Sequence, residues 1–299
     1  MYSVDQILKG FRDPGMALQE VNRAYYSATN AGAYNDGGVH IFEADWDNMI
    51  ILDACRYDTF ESMSDLPGTL EKRESLASMT HEWVSANFTG RELYDTVYVS
   101  ANGQFLNARE RHGAAVHEFI GLFSDTYRHG SGEGKFTPPD IVTEKALEAS
   151  ETFPNKRHLI HYLQPHNPYL GPAGADFEYQ NSLHNTVTRS PVTEGTLREA
   201  YRENLDIVLE EVETLIDELP GKTVVTSDHG ELMGEREFPL PVKRYGHPRG
   251  IYVPELVEVP WLEYHNGSRR DVVAERSGAE VEYDEDDLKE HLRDIGYAV

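Results

Sequence analysis

The chain has 299 residues, enough for one large α/β domain or two small ones. Its 52 acidic side chains outnumber 27 basic ones, and the formal charge of −25 excludes charge-driven binding to bare nucleic acid or anionic lipid. A single cysteine, Cys55, excludes a disulfide framework and a thiolate zinc cluster, while a hydrophobic fraction of 39% excludes wholesale disorder.

Met1-Tyr2-Ser3-Val4-Asp5-Gln6 has neither a basic nor an apolar targeting region, and nothing approaches the roughly 18 continuous apolar residues of a membrane span. A cytoplasmic chain that does not span a membrane is expected. Pro14 to Thr29 reads as an amphipathic helix with Pro14 in its first turn. Asn48-Met49-Ile50-Ile51-Leu52-Asp53 reads as a buried parallel strand that delivers a carboxylate at its end. Strands are predicted at Thr96 to Ala101, at His158 to Leu163 and at Lys222 to Ser227, the last running into Asp228. Helices are predicted from Thr137 to Thr152 and from Glu194 to Leu219, the second stopped by Pro220-Gly221. Pro165 to Pro191 is a long polar loop of the kind that carries function. Tyr252 to Tyr264 reads as a further strand interrupted by Pro254 and Pro260, followed by the acidic patch Glu280 to Asp287 and a helix at about 284–295.

Alternating strands and helices predict an α/β fold, with a mostly parallel central sheet and helices on both faces. The expected organisation is an N-terminal helical segment over 1–45 packed on the core, an α/β domain over 46–265, and an acidic tail with a short helix over 266–299. Only 8 of the basic residues are lysines and the acid is spread along the whole chain. Such a surface suits concentrated salt, where screening removes its self-repulsion.

Strands ending in Asp53 and Asp228 would bring two carboxylates to the one sheet edge where α/β proteins bind ligands. In Thr226-Ser227-Asp228-His229-Gly230-Glu231, adjacent Asp228 and His229 can share one divalent ion, or Asp228 can simply cap a helix. His166, in Gln164-Pro165-His166-Asn167-Pro168, and His247, in Tyr245-Gly246-His247-Pro248, sit in rigid loops as anion binders or metal ligands would. Each also suits a plain surface position. Arg56, one helical turn past Asp53, can pair with Asp58 or brace an anionic group. Cys55 reads as a small core residue. Thr80 lies where small polar residues lead into a helix; alone it reads as an N-cap, although a hydroxyl there can also serve as a nucleophile.

In order, these pieces resemble the sulfatase branch of the alkaline phosphatase superfamily. Asp53-Ala54-Cys55-Arg56-Tyr57-Asp58 is similar to that family's opening, and Thr80 to the threonine nucleophile of some members. His166 resembles its substrate-side histidine, Ser227-Asp228-His229-Gly230-Glu231 its metal-binding turn, and Gly246-His247 with Val259-Pro260 its last histidine and the strand beyond. Leu288 to Tyr297 resembles its C-terminal Leu-Gly-Tyr ending. The chain lacks the Cys/Ser-x-Pro/Ala-x-Arg motif of formylglycine sulfatases. Tyr162 and Gln164 stand where two-metal members carry an aspartate. The nearest pattern is thus the one-metal, threonine-nucleophile type, with a reduced C-terminal subdomain.

The resemblance implies a metal-dependent sulfuryl or phosphoryl transfer enzyme. Asp53, Asp228 and His229 would hold one divalent ion (calcium, magnesium, manganese or zinc), and Thr80 would attack phosphorus or sulfur. His166 and His247 would hold the equatorial oxygens or protonate the leaving group, with help from Arg56. The implied substrate is a sulfated or phosphorylated sugar, free or lipid-linked, in surface-glycan or N-glycan biosynthesis. A phosphomonoesterase or phosphodiesterase acting on small metabolites, or a catalytically silent sulfoglycan-binding module, would use the same residues.

Overall fold

The protein is described here by a computed structural model over residues 14–29, 34–123, 136–175, 177, 182–189, 191–276 and 285–294. Ile295-Gly296-Tyr297, the first residues of the chain and most of the acidic patch lie outside the described residues. Seven strands form the central sheet: β1 (Asn48–Leu52), β2 (Thr69–Glu74), β3 (Glu92–Ser100), β4 (Ala115–Gly121), β5 (Arg157–Tyr162), β6 (Gly221–Thr226) and β9 (Glu258–Asn266), in the order β2-β9-β6-β1-β5-β3-β4. Strands β7 (Leu232–Arg236) and β8 (Lys243–Gly246) form a separate antiparallel hairpin.

Neighbours from β6 to β4 are all parallel, and β9 runs antiparallel to both β6 and β2. The sheet is therefore mostly parallel, as the alternating pattern predicts. Strand β1 explains its own centrality: every residue from Asn48 to Leu52 is buried, so both faces are covered. It pairs Ile51 with His161 on one side and with Thr226 on the other. That register brings the residues following β1, β5 and β6 to one edge.

The sequence reading misses β2 and β4, and begins β3 at Thr96 rather than Glu92. Strand β2 is a sheet edge made of Thr-Leu-Glu-Lys-Arg-Glu, with too little apolar alternation to register as a strand. Around Tyr252 to Tyr264, a short helix α8 (Pro254–Val257) precedes β9. Pro260 is accommodated within β9 because the β6 register begins only at Trp261.

Helices cover the sheet. Among them are α2 (Tyr57–Met63), α3 (Thr80–Phe88), α4 (Gln104–His112), α5 (Pro139–Thr152) and the 25-residue α7 (Glu194–Glu218). Helix α7 is N-capped by Thr193, whose hydroxyl accepts from the Thr196 amide at 3.1 Å, and it buries Leu205, Val208, Leu209, Val212, Leu215 and Ile216. Within the Pro165–Pro191 loop lies α6 (Leu183–Arg189). Helix α1 (Pro14–Thr29) leans on the hairpin: Gln19 donates to the Lys243 carbonyl at 2.9 Å, and Asn22 bonds both ways with the backbone of Leu240. The last element, α9 (Glu285–Asp294), is held by His291, 3.0 Å from the Ala101 carbonyl. No helix among the described residues is long and apolar enough to cross a membrane.

Candidate active site

The site grows from two strand ends. Past β1 the chain turns at Ala54, which adopts φ 61°, a left-handed conformation that costs a non-glycine residue about 1–2 kcal/mol. The turn aims the Ala54 amide at Asp228 Oδ1, 3.1 Å away. It is locked by Ser227, whose hydroxyl donates to the Leu52 carbonyl at 2.6 Å and accepts from the Cys55 amide at 2.8 Å. Tyr201 of α7 adds a bond to the Ala54 carbonyl at 2.7 Å. Past β6, Gly230 passes directly against α8; a Cβ there would lie 2.1 Å from the Glu255 carbonyl oxygen, so only glycine fits. Asp53 and Asp228 thereby meet at one edge, both fully buried beside His229.

Hydrogen bonding then selects which lone pairs remain. Asn102, just past β3, donates to Asp53 Oδ2 at 2.8 Å, while Asp53 Oδ1 has no partner. Asp228 Oδ1 accepts from the amides of Ala54 and His229, the latter at 2.9 Å, while Oδ2 has none. His229 Nδ1 lies 2.8 Å from the Gly230 carbonyl, which requires the proton on Nδ1 and leaves the lone pair on Nε2. That Nε2 is 3.7 Å from Asp53 Oδ1 and 3.4 Å from Asp228 Oδ2. Two buried, unpartnered carboxylate oxygens converge with the His229 lone pair, whose neighbour is the Thr80 hydroxyl, as in a divalent-cation site. The electrostatics agree. Burial and then the Asp228 charge push Asp53 well above the ordinary carboxylate range, and burial followed by His247 holds His229 well below the usual histidine value. A cation would relieve the first and use the second, because a neutral imidazole is the ligand form. These three residues fit a divalent metal ion.

Thr80 faces this cradle. Its Oγ1 is 3.2 Å from His229 Nε2 and 3.5 Å from Asp53 Oδ2. The N-cap of α3 is Met79, with no side-chain cap, so the plain capping expectation for Thr80 is corrected: it is the first helical residue, its hydroxyl turned into the site. The positive end of the helix lies behind it.

A second group adjoins the first. His166, Glu231 and His247 each offer a ligand atom within 4.8 Å of the others. The His247 ring centre is 4.5 Å from that of His229 and 5.0 Å from that of His166. His247 Nδ1 is 3.3 Å from Glu231 Oε1. Burial opposes charge on His247, but Glu231 and then Asp228 outweigh it and raise its pKa; burial and the His247 charge push His166 down to about 3. His166 Nδ1 bonds its neighbour's carbonyl, Asn167 O, at 2.7 Å.

All the sequence-predicted residues except Arg56 point into this one space. Arg56 takes the Asp58 pairing: its Nη2 is 2.6 Å from Asp58, and its Nη1 is 2.7 Å from Glu235 and 3.2 Å from the Glu231 carbonyl. It braces the Asp228–Glu231 turn through the Glu231 carbonyl. Cys55 is a buried core residue, as read.

Sequence reasoning missed Asn102, His161 and the role of Glu231. Asn102 follows a strand end, like Asp53, but the strand was the signal and its apolar pattern stops at Ala101. His161 lies on β5 with its Nε2 3.9 Å from both Asp53 Oδ2 and Asp228 Oδ2 and its Nδ1 2.8 Å from the Tyr98 hydroxyl. Only the inter-strand register reveals it. Glu231, from the Asp228–His229 turn, supplies a carboxylate beside His166 and His247.

The molecule is thus an α/β protein in which two carboxylates and one imidazole, able to hold a divalent ion, face a helix-borne hydroxyl. No family model matches the chain, and no curated protein matches it. Solved structures do. The lipooligosaccharide phosphoethanolamine transferase EptA of Neisseria meningitidis is similar at 12% identity and TM-score 0.46, over 73% of this chain and 47% of that one. A putative sulfatase of Bacteroides thetaiotaomicron is similar at 12% identity and TM-score 0.47, over 75% of this chain and 65% of that one. The phosphonate monoester hydrolase of Agrobacterium radiobacter is similar at 11% identity and TM-score 0.45, over 73% and 67%. This chain spans about half the length of the Neisseria protein.

Proposed function

We propose that the protein is a metal-dependent phosphoryl or sulfuryl transfer enzyme, working through a covalent intermediate on Thr80 and akin to the sulfatase branch of the alkaline phosphatase superfamily. One observation carries this reading: two buried carboxylate oxygens of Asp53 and Asp228, without partners, converge with His229 Nε2, which the Thr80 hydroxyl reaches at 3.2 Å. A divalent ion held there would act as a Lewis acid on the ester and lower the pKa of the nearby hydroxyl. Thr80 Oγ1 loses its proton, with Asp53 Oδ2 at 3.5 Å placed to take it, and forms a bond to phosphorus or sulfur. The ester's bond to its leaving oxygen breaks. His247, its pKa raised by Glu231, donates the proton that oxygen needs, and His166, its pKa pushed down by burial, accepts a hydrogen bond from the substrate or acceptor hydroxyl. Asn102 orients Asp53 through its bond to Oδ2, which leaves Oδ1 for the ion, and Arg56 holds the Glu231 backbone. The second step returns the group to water or to a sugar hydroxyl.

The substrate in this reading is a sulfated or phosphorylated sugar of a surface-glycan precursor, handled in the cytoplasm. The family resemblance and the acid-rich composition support it. The test uses host extract labelled with radiosulfate or radiophosphate, incubated with wild type and with Thr80→Ala in concentrated potassium chloride and quenched with acid. Label retained by wild type alone supports the nucleophile, and the isotope identifies the group. Asp228→Asn should lose both metal binding and turnover while keeping its circular dichroism. Undiminished turnover in that variant would sink the scheme.

A further inference from the structure

Thr80 and His247 lie on segments 167 positions apart, yet the proposed reaction needs them in fixed relation. Beneath them sits Glu82, on the first turn of α3, only 2% exposed. Its Oε2 accepts from the Ser78 amide at 3.0 Å and lies 3.2 Å from the Ser78 hydroxyl. Its Oε1 accepts from the Tyr252 hydroxyl at 3.0 Å. The Ser78 hydroxyl in turn reaches the other segment: it is 2.9 Å from the Pro248 carbonyl and accepts from the Gly250 amide at 2.9 Å. With one proton, that hydroxyl serves either Glu82 or Pro248, and both arms end on the loop that begins at His247.

We propose that Glu82 and Ser78 form a clamp that positions Thr80 relative to His247, so that Glu82 is a positioning residue for the transfer step. The inference rests on the function proposed above. A glutamate at this turn ordinarily stabilises its own helix by reaching back to the amide before it, and the bond to Ser78 N does so. That role needs neither the Tyr252 bond nor the Ser78 bridge to Pro248 and Gly250. Burying a carboxylate is also costly, and the cationic group beside it, Arg249, has its Nε 3.9 Å away and its side chain 69% exposed. A helix cap alone would be met more cheaply at the surface. Here the carboxylate is buried where the nucleophile's turn and the histidine's loop meet.

The clamp is tested with Tyr252→Phe and Ser78→Ala, which release the loop arm while leaving the Ser78 amide bonded to Glu82. Glu82→Gln serves as the conservative control, since its amide can still bond Ser78 and Tyr252. We expect kcat toward an aryl phosphate or sulfate to fall roughly tenfold to a hundredfold in the first two, as for a small misplacement of reacting groups. KM should stay within about twofold, zinc affinity should be unchanged, and the double variant should be little worse than either single one, as for residues acting as a unit. Glu82→Gln should recover most of the rate. Hydrogen exchange should quicken in both the 78–82 and the 247–252 peptides of each releasing variant. Unaltered kcat in an active protein, exchange confined to the mutated segment, or a loss of zinc affinity matching the loss of rate would each overturn the clamp. A wild type inactive toward every ester would overturn the proposed function, and the paired exchange would still decide whether the two segments are joined.

Discussion

At the residue scale, the chemistry of Asp53, Asp228 and His229 is set by what their other atoms are doing. Each has one polar atom committed to a neighbour, and the remaining acceptors face inward. The commitments depend on single small residues. Gly230 is the sharpest case, because a methyl group there would collide with backbone rather than with a side chain that could swing away. Gly230→Ala must therefore shift the Asp228–His229 turn. We predict zinc binding weakened about tenfold or more, the scale of losing an orienting partner, measured by competition with a chromophoric chelator. Wild-type affinity in this variant would mean the turn can slide along α8 without disturbing its ligands.

Two elements position the histidine loop and the sheet below it. Helix α7 presents Asn204, fully buried, which accepts from the Leu170 amide at 2.6 Å and donates to the carbonyls of His166 and Pro168, both at 3.0 Å. One amide thus satisfies a loop that has no ladder of its own. Asn204→Leu strands these groups and should cost about 1–3 kcal/mol in urea unfolding. It should also reduce turnover without weakening metal binding, because His166 lies outside the Asp53–Asp228–His229 cradle. Strand β5 carries a different liability. Burial, then Arg270, push His158 down to about 3, and burial lowers His161 to about 4. Native His158 thus stays neutral where the unfolded chain, near 6.5, takes up a proton. Its contribution is whole above about pH 6.5 and is lost as pH falls toward 3. Urea midpoints of the metal-free protein should fall between about pH 7 and pH 5, and fall less steeply in His158→Gln. Parallel slopes would remove His158 from the account.

The whole molecule carries its formal charge of −25 on a fold whose sheet edge at Asp53 and Asp228 is itself acidic. Several basic groups are already spent on carboxylates, as in Lys222 with Glu263 at 2.9 Å and Arg269, shared between Asp45 at 2.7 Å and Asp47. Self-repulsion therefore opposes compaction in dilute buffer, and it fades as the screening length drops from about 10 Å at 0.1 M salt to about 3 Å at 1 M. The melting temperature should climb with potassium chloride across that range and continue upward beyond it. A flat profile would mean that the acid is balanced locally and that the composition reflects something other than the solvent.

The sheet class, the central strands and the two carboxylates at their ends are legible in the residues alone. Those follow from short-range features: an apolar run of strand length, rich in β-branched residues, reads as a buried strand, and the residue after it emerges at the sheet edge. The Asp228-His229-Gly230-Glu231 turn was legible for the same reason, as adjacent residues. The tertiary structure alone decided the rest. Strands β2 and β4 are edges whose half-exposed residues carry no clear period. His161 and Asn102 reach the site through the registers of β5 and β3, and Arg56 was settled by Asp58 and Glu235 together. The Ser78–Glu82 contact with Tyr252 spans 170 positions, and no local pattern encodes a distance of that kind. Which lone pairs stay open, and so what the site can hold, depends on partners that only the folded chain brings within hydrogen-bonding reach.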